Sequence, residues 1–307
     1  MSFLIPLTII FSILAPFIYI LFWKKIIKNK KVPKGYGLII LLYILFSFFI
    51  MNNIEINFFQ VALLVTIIIG YWFDDLIHLS IEARILLMIC ASVLVLVMIG
   101  DSLYKLLFTF IILFIFTNSI NFSDGEDLNL SIILISYLLF MLYFNNFESL
   151  HIINNEFLIL ILITILGFSL FNYFPKKIYF GDAGCFGLGV IITSLIMYSY
   201  LNEKREIFIY LLPCFFLLID FFYVIFVRIN KGEKLSRRNY LHLYQVIKRK
   251  FNNKFYLIPY PLYVLFIGLF INYTINIGYS KLFIYWIVFV FSFGYYFSLR
   301  ALNAIIK

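Results

Sequence analysis

Eleven apolar segments, each close to the length of a membrane-spanning helix, fill most of this 307-residue sequence. A helix needs about 20 mostly apolar residues to cross a bilayer, with a range of about 17–25. The segments are 3–23, 36–51, 57–73, 84–99, 103–121, 130–144, 156–174, 185–201, 207–228, 256–278 and 282–301. Because 64% of the residues are hydrophobic and 13% are charged, a water-soluble fold is excluded. The sequence therefore predicts an all-α fold, a polytopic transmembrane helical bundle of about 11 spans that forms a single domain over residues 1–307.

Lys and Arg are distributed unequally between alternate connections of these segments. Twenty of the 24 fall in one set of loops, namely 24–35, 74–84, 175–184, 228–255 and the end of the chain from Arg300. Cytoplasmic loops of membrane proteins carry such an excess. We therefore expect a multi-pass protein of the cell membrane with its N-terminus outside and its C-terminus in the cytoplasm. The net charge of +9 then indicates a lipid bilayer as partner and no nucleic acid.

Asp74 and Asp75 end an apolar segment on the predicted cytoplasmic side, where topology does not require carboxylates. Like charges this close resist joint ionisation, so one aspartate has a raised pKa or the pair binds a cation. The alternative is a solvated helix terminus. Further aspartates lie at the same predicted face, at positions 124, 127 and 182.

A second polar patch runs from Asn118 to Leu128. Asn118, Asn121 and Asp124 recur at three-residue spacing and would share one face of a helix. Carboxylate and amide oxygens are ligands that suit Mg²⁺. The alternative is a polar turn in which Asp124 is a helix N-cap.

A third patch, Tyr179 to Gly189, combines four glycines with Asp182 at the start of a predicted span. A helix N-terminus favours phosphate, but Asp182 would repel it unless a metal ion lay between them. The patch therefore fits a metal–pyrophosphate complex. The alternative is simple capping of the helix.

The longest predicted loop, 229–255, contains Arg237, Arg238 and His242. Arginine pairs geometrically with phosphate and carboxylate oxygens. The cytoplasmic charge excess explains most of these cations, but it does not explain the run His242-Leu-Tyr-Gln245. Asp220 is the one acid well inside a predicted span, and either a structural partner or a catalytic role accounts for it.

In order and spacing, these patches resemble the motifs of the polyprenyl-phosphate N-acetylhexosamine-1-phosphate transferases (glycosyltransferase family 4), over almost the whole chain. The paired aspartate, the run Asn118 to Asp127 and the run Tyr179 to Gly184 each match a family motif, and Pro33-Lys-Gly-Tyr-Gly37 is similar to the element that opens the family's second span. Leu128 replaces a family glycine. The setting of His242 resembles the branch that starts O-antigen and similar surface glycans.

The resemblance implies transfer of a sugar-1-phosphate from a UDP-N-acetylhexosamine to polyprenyl (undecaprenyl) phosphate, with release of UMP on the cytoplasmic face. It implies Mg²⁺ as cofactor, with Mn²⁺ as an alternative, held by Asn121 and Asp182. Asp74 and Asp75 would be catalytic. Arg84 would bind the lipid phosphate, Tyr179 would stack on uracil, and Asp124 and Asp127 would contact the nucleotide sugar. The loop residues Arg237, Arg238 and His242 would close over the diphosphate or the sugar. Asn118 would also be a substrate-binding residue. The residues do not distinguish direct attack from an aspartyl intermediate.

Two other functions remain open on sequence grounds. A transporter or flippase of lipid-linked sugars would also be polytopic and basic inside, but it would place polar residues near mid-membrane and show internal repeats. In this sequence most of the acidic candidates lie at one interface, only Asp220 lies well inside a predicted span, and no internal repeat is visible. A catalytically inactive homologue is the third hypothesis, motivated by Leu128 and by the single histidine in the last large loop.

Overall fold

The structure is a computed structural model that describes residues 3–26, 33–52, 58–99, 105–145, 155–173, 178–201, 205–233, 240–251 and 254–305. The regular elements in these ranges are helices. The α-helices are α1 Leu4–Ile26, α2 Gly37–Asn52, α3 Phe58–Ile77, α4 Ile81–Ile99, α5 Leu106–Ser123, α6 Asn129–Asn145, α7 Asn155–Tyr173, α8 Gly181–Leu201, α9 Phe215–Asn230, α10 Leu243–Phe251, α11 Pro259–Ile277 and α12 Lys281–Ile305. Two 3₁₀ segments, Arg205–Cys214 and Lys254–Leu257, precede α9 and α11.

Each of the eleven predicted segments coincides with a helix, which confirms the all-α prediction. Within the described residues, six helical stretches are long and apolar enough to cross a membrane. Large apolar side chains also stay exposed on the terminal helices, for example Ile18 at 61% and Trp286 at 62%. An exposed apolar surface of this extent indicates contact with lipid. These are features of a multi-pass membrane protein, whereas eleven crossings and the orientation of the termini stay predictions.

Contacts divide the chain into two compact units, although the sequence predicts one domain over residues 1–307. The first unit comprises Met1–Ser131 and Asn145–Ile207, and the second comprises Ile132–Phe144 and Phe208–Lys307. The prediction of a single domain stays a prediction.

Helix α8 is the central helix of the first unit, because it packs against α2, α3, α4 and α5. The ring of Tyr71 on α3 stacks on that of Phe186 on α8, with centroids 3.7 Å apart. The Tyr71 hydroxyl also donates to the Arg84 carbonyl at 3.0 Å, which connects α3 to the start of α4. Both large side chains are buried, so they fix the N-terminal part of α8 relative to the end of α3 and the start of α4.

Glycine allows α2 to approach α8 to backbone contact. A Cβ added at Gly37 would lie 2.7 Å from the Phe180 carbonyl oxygen and closer still to the Cα of Gly184. The Gly37 N–H uses this proximity and donates to the Phe180 carbonyl at 2.9 Å. Small residues let helix backbones meet in this way in membranes.

In the second unit, α12 packs against α9, α10 and α11. Tyr263 of α11 is fully buried, and its hydroxyl lies 2.7 Å from the Ser292 hydroxyl and donates to the Leu212 carbonyl at 3.0 Å. Buried polar groups are normally paired in this manner. The helix α10 falls inside the predicted loop 229–255 and is one element that the sequence pattern did not show.

We expect Gly37→Ala to lower the stability of the protein, because its methyl group would press against backbone atoms. Overpacking of this kind costs about 1–3 kcal/mol. The matched control is Gly294→Ala in α12, where a Cβ meets nothing within 4 Å and alanine is the better helix former. Thermal unfolding in detergent measures both variants. Equal melting temperatures would contradict close α2–α8 packing.

Candidate active site

The N-terminus of α8 is held by carboxylates from two other helices. Asp75, near the end of α3, accepts the Asp182 N–H at 3.0 Å through Oδ1 and the Ala183 N–H at 3.2 Å through Oδ2. Asp124, directly after α5, accepts the Gly181 N–H at 2.9 Å. The first N–H groups of a helix lack partners within the helix. The carboxylates of Asp75 and Asp124 accept these hydrogen bonds, so both side chains lie at the start of α8.

Gly181 is required at this meeting point. Its φ of +80° is unfavourable for residues with a side chain. A Cβ added there would also lie 2.5 Å from Oδ2 of Asp75 and from the Gly35 nitrogen. The segment before α8 pairs with the segment before α2, since the Tyr179 N–H donates to the Pro33 carbonyl at 2.9 Å. The sequence motif at 33–37 and the motif that begins at Tyr179 therefore lie side by side.

This geometry decides between the interpretations of the third patch. The N–H groups of Gly181, Asp182 and Ala183 are bonded to carboxylates, so phosphate does not find them open in this conformation. Capping is confirmed, but the caps come from Asp75 and Asp124 rather than from the helix itself. The alternative that Asp124 is the N-cap of its own turn is wrong, because Asp124 follows the C-terminus of α5 and caps α8.

Asn121 and Asp182 are in direct contact, as expected for a shared ligand site. The Asn121 amide Nδ2 donates to Asp182 Oδ1, and an amide that turns over presents its oxygen instead. Within the described residues, no three acidic, histidine or cysteine side chains form a metal cage. Mg²⁺ is commonly held by one or two carboxylates together with substrate phosphates and water. The donor set of Asn121 and Asp182 therefore fits Mg²⁺.

The acidic cluster is electrostatically costly without a cation. Burial first, and then the charge of Asp182, raise the pKa of Asp75 to about 7, although two backbone hydrogen bonds act in the opposite direction. Burial likewise raises the pKa of Asp124 to about 7. Like charges held this close favour the neutral form of one partner. A divalent cation among them would relieve this repulsion.

Asp74, the neighbour of Asp75, forms an ion pair with Arg84. The two side chains form a two-point ion pair, in which Arg84 Nε lies 2.7 Å from Asp74 Oδ2 and Arg84 Nη2 lies 2.9 Å from Asp74 Oδ1. Asp74 is 1% exposed while the Arg84 side chain is 41% exposed. The Leu79 N–H also donates to Asp74 at 2.7 Å. Asp74 therefore orients a cation whose outer face remains accessible.

Three further predicted residues lie on the same segments of the chain as the cluster. Asn118 donates to the Phe114 carbonyl of its own helix at 2.7 Å. Asp127 and Tyr179 are half-buried, in the turn after α5 and in the segment before α8. No role for these three follows from their contacts alone.

Leu128 occupies a backbone conformation that glycine favours, with φ at +63°. This positive φ explains why related sequences have glycine at the position that Leu128 occupies. Asn172 of α7 holds this turn, because its Oδ1 accepts the Leu128 N–H at 2.5 Å and its Nδ2 donates to the Ile178 carbonyl at 2.7 Å. Asn172 was not identified from sequence. Its one signal was an amide near the end of an apolar segment.

His242 lies in the second unit, buried and 2.7 Å from Asp220 through Nδ1. Asp220 also binds Arg300 and Tyr296 of α12, neither of which the sequence identified as its partner. Arg228, the nearest cation along the helix, lies 3.6 Å from Glu233 instead. Arg237 and Arg238 lie outside the described residues, and their proposed role stays a prediction.

We expect Arg84→Gln to destabilise the protein, because it leaves the buried Asp74 carboxylate without its cation. The expected loss is about 1–3 kcal/mol, the range for leaving a buried polar group without its partner. Glu82→Gln, at an exposed carboxylate of the same helix, is the control. The double variant Asp74→Asn with Arg84→Gln should recover part of the loss. Chemical unfolding in detergent measures these three variants and Asp74→Asn alone, and a double-variant loss equal to the sum of the two single losses would contradict the ion pair.

Comparison with known proteins places this site in a known family segment. Residues 56–200 match the family model described as glycosyl transferase family 4. Phospho-N-acetylmuramoyl-pentapeptide-transferase of Dictyoglomus turgidum is 31% identical over 117 residues, which cover 37% of this chain and 35% of the relative. The enzyme of the same name from Clostridium beijerinckii is 30% identical over 129 residues, 41% of this chain and 38% of the relative.

The chain thus spans about a third of the length of the curated relatives that it matches. The family segment includes both capping aspartates, the Asp74–Arg84 pair and the Asn121–Asp182 pair. The resemblance drawn from the sequence motifs is confirmed at the level of the superfamily. Residues 56–200 are therefore similar to glycosyl transferase family 4, the family whose motifs the sequence resembles.

Proposed function

We propose that this protein transfers an N-acetylhexosamine-1-phosphate from a UDP-sugar to polyprenyl phosphate, releases UMP, and thereby starts a lipid-linked surface glycan. The observation that carries the proposal is the gathering of Asp75, Asp124 and Asp182 at the start of α8, beside Asn121. These residues come from three helices, and all lie within the family segment.

The reaction joins two anions, so neutralising and positioning charge should supply most of the catalysis. The lipid phosphate oxygen attacks the β-phosphorus of the UDP-sugar, and the bond from that phosphorus to the bridging oxygen of UMP breaks. Mg²⁺ bound at Asp182 and Asn121 would neutralise the diphosphate. Asp75 and Asp124 keep Asp182 in place by holding the backbone of its helix turn.

Arg84 is suited to the lipid phosphate. Its guanidinium is oriented by Asp74 on one side and is partly exposed on the other. Arginine can offer parallel donors to phosphate oxygens while it keeps a carboxylate partner. Asp74 remains the candidate for activating the lipid phosphate, and the structure supports at least its part in orienting Arg84.

The membrane setting supports this proposal over a transporter. The clustered acids lie at the ends of apolar helices, where a lipid headgroup and a cytosolic nucleotide would meet. Asp220, the acid inside a span, is paired with Arg300 and His242. The charge excess of the loops favours the cytoplasmic face for the site.

A second donor deserves a direct test. The curated relatives are named for transfer of a phospho-N-acetylmuramoyl-pentapeptide, which favours a UDP-linked muramoyl-pentapeptide as the alternative. The setting of the single His242 favours the surface-glycan donor, as the sequence motif predicts. The two donors differ in the sugar, not in the diphosphate that the acidic cluster would bind.

The test is incubation of purified protein with polyprenyl phosphate, Mg²⁺ and each donor in turn, with UMP as readout. We expect UMP from at least one UDP-N-acetylhexosamine, only when the lipid is present, with loss on chelation and recovery with Mg²⁺ or Mn²⁺. If only the muramoyl-pentapeptide donor released UMP, the reaction would be the one for which the curated relatives are named. The proposal would be refuted if no donor released UMP in an assay in which a known family member is active.

We expect Asp182→Asn to lower kcat by at least about a hundredfold, in the range for loss of one electrostatic stabiliser. The amide is a weaker ligand for a hard cation, so part of the loss should return at high Mg²⁺. Glu82→Gln, exposed at the start of α4, should keep its activity. Full activity of Asp182→Asn at low Mg²⁺ would remove Asp182 from the metal site.

A further inference from the structure

Lys34 lies in the segment before α2, and its backbone is held from two sides. The Tyr19 hydroxyl of α1 donates to the Lys34 carbonyl, and Tyr19 is 3% exposed. The Pro33 carbonyl accepts the Tyr179 N–H at 2.9 Å from the segment before α8. Buried donors keep partners of this kind. The peptide groups on both sides of the Lys34 Cα therefore have a defined orientation.

This segment lies against the start of α8, next to the acidic cluster. A Cβ added at Gly181 would lie 2.5 Å from the nitrogen of Gly35 and 2.7 Å from its Cα. A Cβ added at Gly35 would lie 3.1 Å from Oδ2 of Asp75. The Gly35 nitrogen belongs to the peptide bond that follows Lys34, and successive Cα atoms are about 3.8 Å apart. The Lys34 side chain therefore begins one residue away from this contact with Asp75 and Gly181.

Lys34 differs from the residues that follow it in exposure. Residues 35–37 are buried, whereas Lys34 is exposed. In the part of the chain that the structure describes, its carbonyl is hydrogen-bonded but its ammonium forms no ion pair. The nearby carboxylate of Asp75 uses both oxygens for N–H groups of α8. The Lys34 ammonium is therefore a cation beside the acidic cluster that no carboxylate neutralises.

The proposed reaction needs more positive charge than one Mg²⁺ supplies. The carboxylates of Asp75, Asp124 and Asp182 would share that ion with a diphosphate, and the lipid phosphate adds another anion. Arg84 contributes a cation that is already paired with a carboxylate. Lysine binds phosphate as a point charge on a flexible stem. The cytoplasmic charge excess explains a lysine in this connection, but it does not explain a lysine whose backbone is bonded beside the start of α8.

We propose that Lys34 is a substrate-binding residue whose ammonium binds a phosphate group at the start of α8, and that Tyr19 is its positioning residue. This inference rests on the proposed function, which brings two phosphate-bearing substrates to the acidic cluster. The diphosphate of the UDP-sugar and the phosphate of the lipid offer a lysine the same chemistry, so each substrate is tested separately.

The kinetic test removes the charge of Lys34 and leaves a polar side chain. In Lys34→Gln we expect kcat/KM for at least one substrate to fall about 10- to 100-fold, the factor for losing one hydrogen bond to a charged group. Lys34→Arg keeps a cation and should retain most of the activity. Lys231→Gln, at an exposed lysine directly after α9, is the matched control and should keep wild-type kinetics.

The substrate with the larger loss of kcat/KM carries the phosphate that Lys34 binds. Unchanged kcat/KM for both substrates in Lys34→Gln would overturn the inference. Equal losses in Lys34→Gln and Lys34→Arg would also overturn it, because the charge would then not be what matters. Equal losses in Lys34→Gln and Lys231→Gln would show a general effect of net charge and would overturn it as well.

Tyr19→Phe removes the hydroxyl that holds the Lys34 carbonyl. We expect a smaller fall in kcat/KM than in Lys34→Gln, and little further effect of the same change in the Lys34→Gln background, because the ammonium that Tyr19 positions is gone. Tyr43→Phe is the matched control, since its hydroxyl lies 2.7 Å from the Thr8 hydroxyl between α1 and α2. Equal losses from Tyr19→Phe in the two backgrounds would contradict the positioning role.

An equilibrium measurement does not depend on turnover. The probes are UDP and a short-chain polyprenyl phosphate, each added alone to the purified protein in detergent at one fixed Mg²⁺ concentration. We expect the Kd of at least one probe to rise about 10- to 100-fold in Lys34→Gln and to stay unchanged in Lys231→Gln. Unchanged Kd values for both probes would overturn the inference. If no donor releases UMP, the proposed function fails, while this measurement still decides whether Lys34 binds a phosphate.

Discussion

The contact on which the first unit depends is the capping of α8 by carboxylates from α3 and from the end of α5. A helix N-terminus carries partial positive charge and open N–H groups. Asp75 and Asp124 bring negative charge to this end and accept hydrogen bonds from its N–H groups. These contacts hold the ends of α3 and α5 against the start of α8. The same contact concentrates negative charge, because Asp182 lies in that first turn. The fold therefore places repelling carboxylates, which a cation would stabilise, where the proposed reaction also needs a cation.

Most of this cluster could be predicted from sequence, because the signals are local. Apolar segment lengths predicted the helices, and the alternation of basic loops predicted that Asp75, Asp124 and Asp182 share one face. The acceptor for each N–H was not predictable, because Asp75 is 107 residues from Asp182 and their contact depends on where α8 points. The conformation of Leu128 was also hidden, since its φ of +63° is imposed by the turn.

The second unit shows where local reasoning fails. Along the sequence, Arg228 is the cation nearest Asp220, about 12 Å away on a helix. The packing of α9 against α12 instead brings Arg300, 80 residues distant, to 3.2 Å. The nine residues of α10 were also missed, because they are too few and too polar for a search based on spans. The run from His242 to Gln245 had no explanation until that helix was seen to begin there.

The backbone contact between Gly37 and Gly184 has a consequence for the energetics of the proposed reaction. Helices that touch through glycine cannot close further, and separating them would open a void beside the site. The dipoles and carboxylates at the start of α8 are thus set during folding. Little reorganisation energy remains to be spent when charge moves in the transition state, which is the condition under which fixed electrostatics accelerate a reaction most.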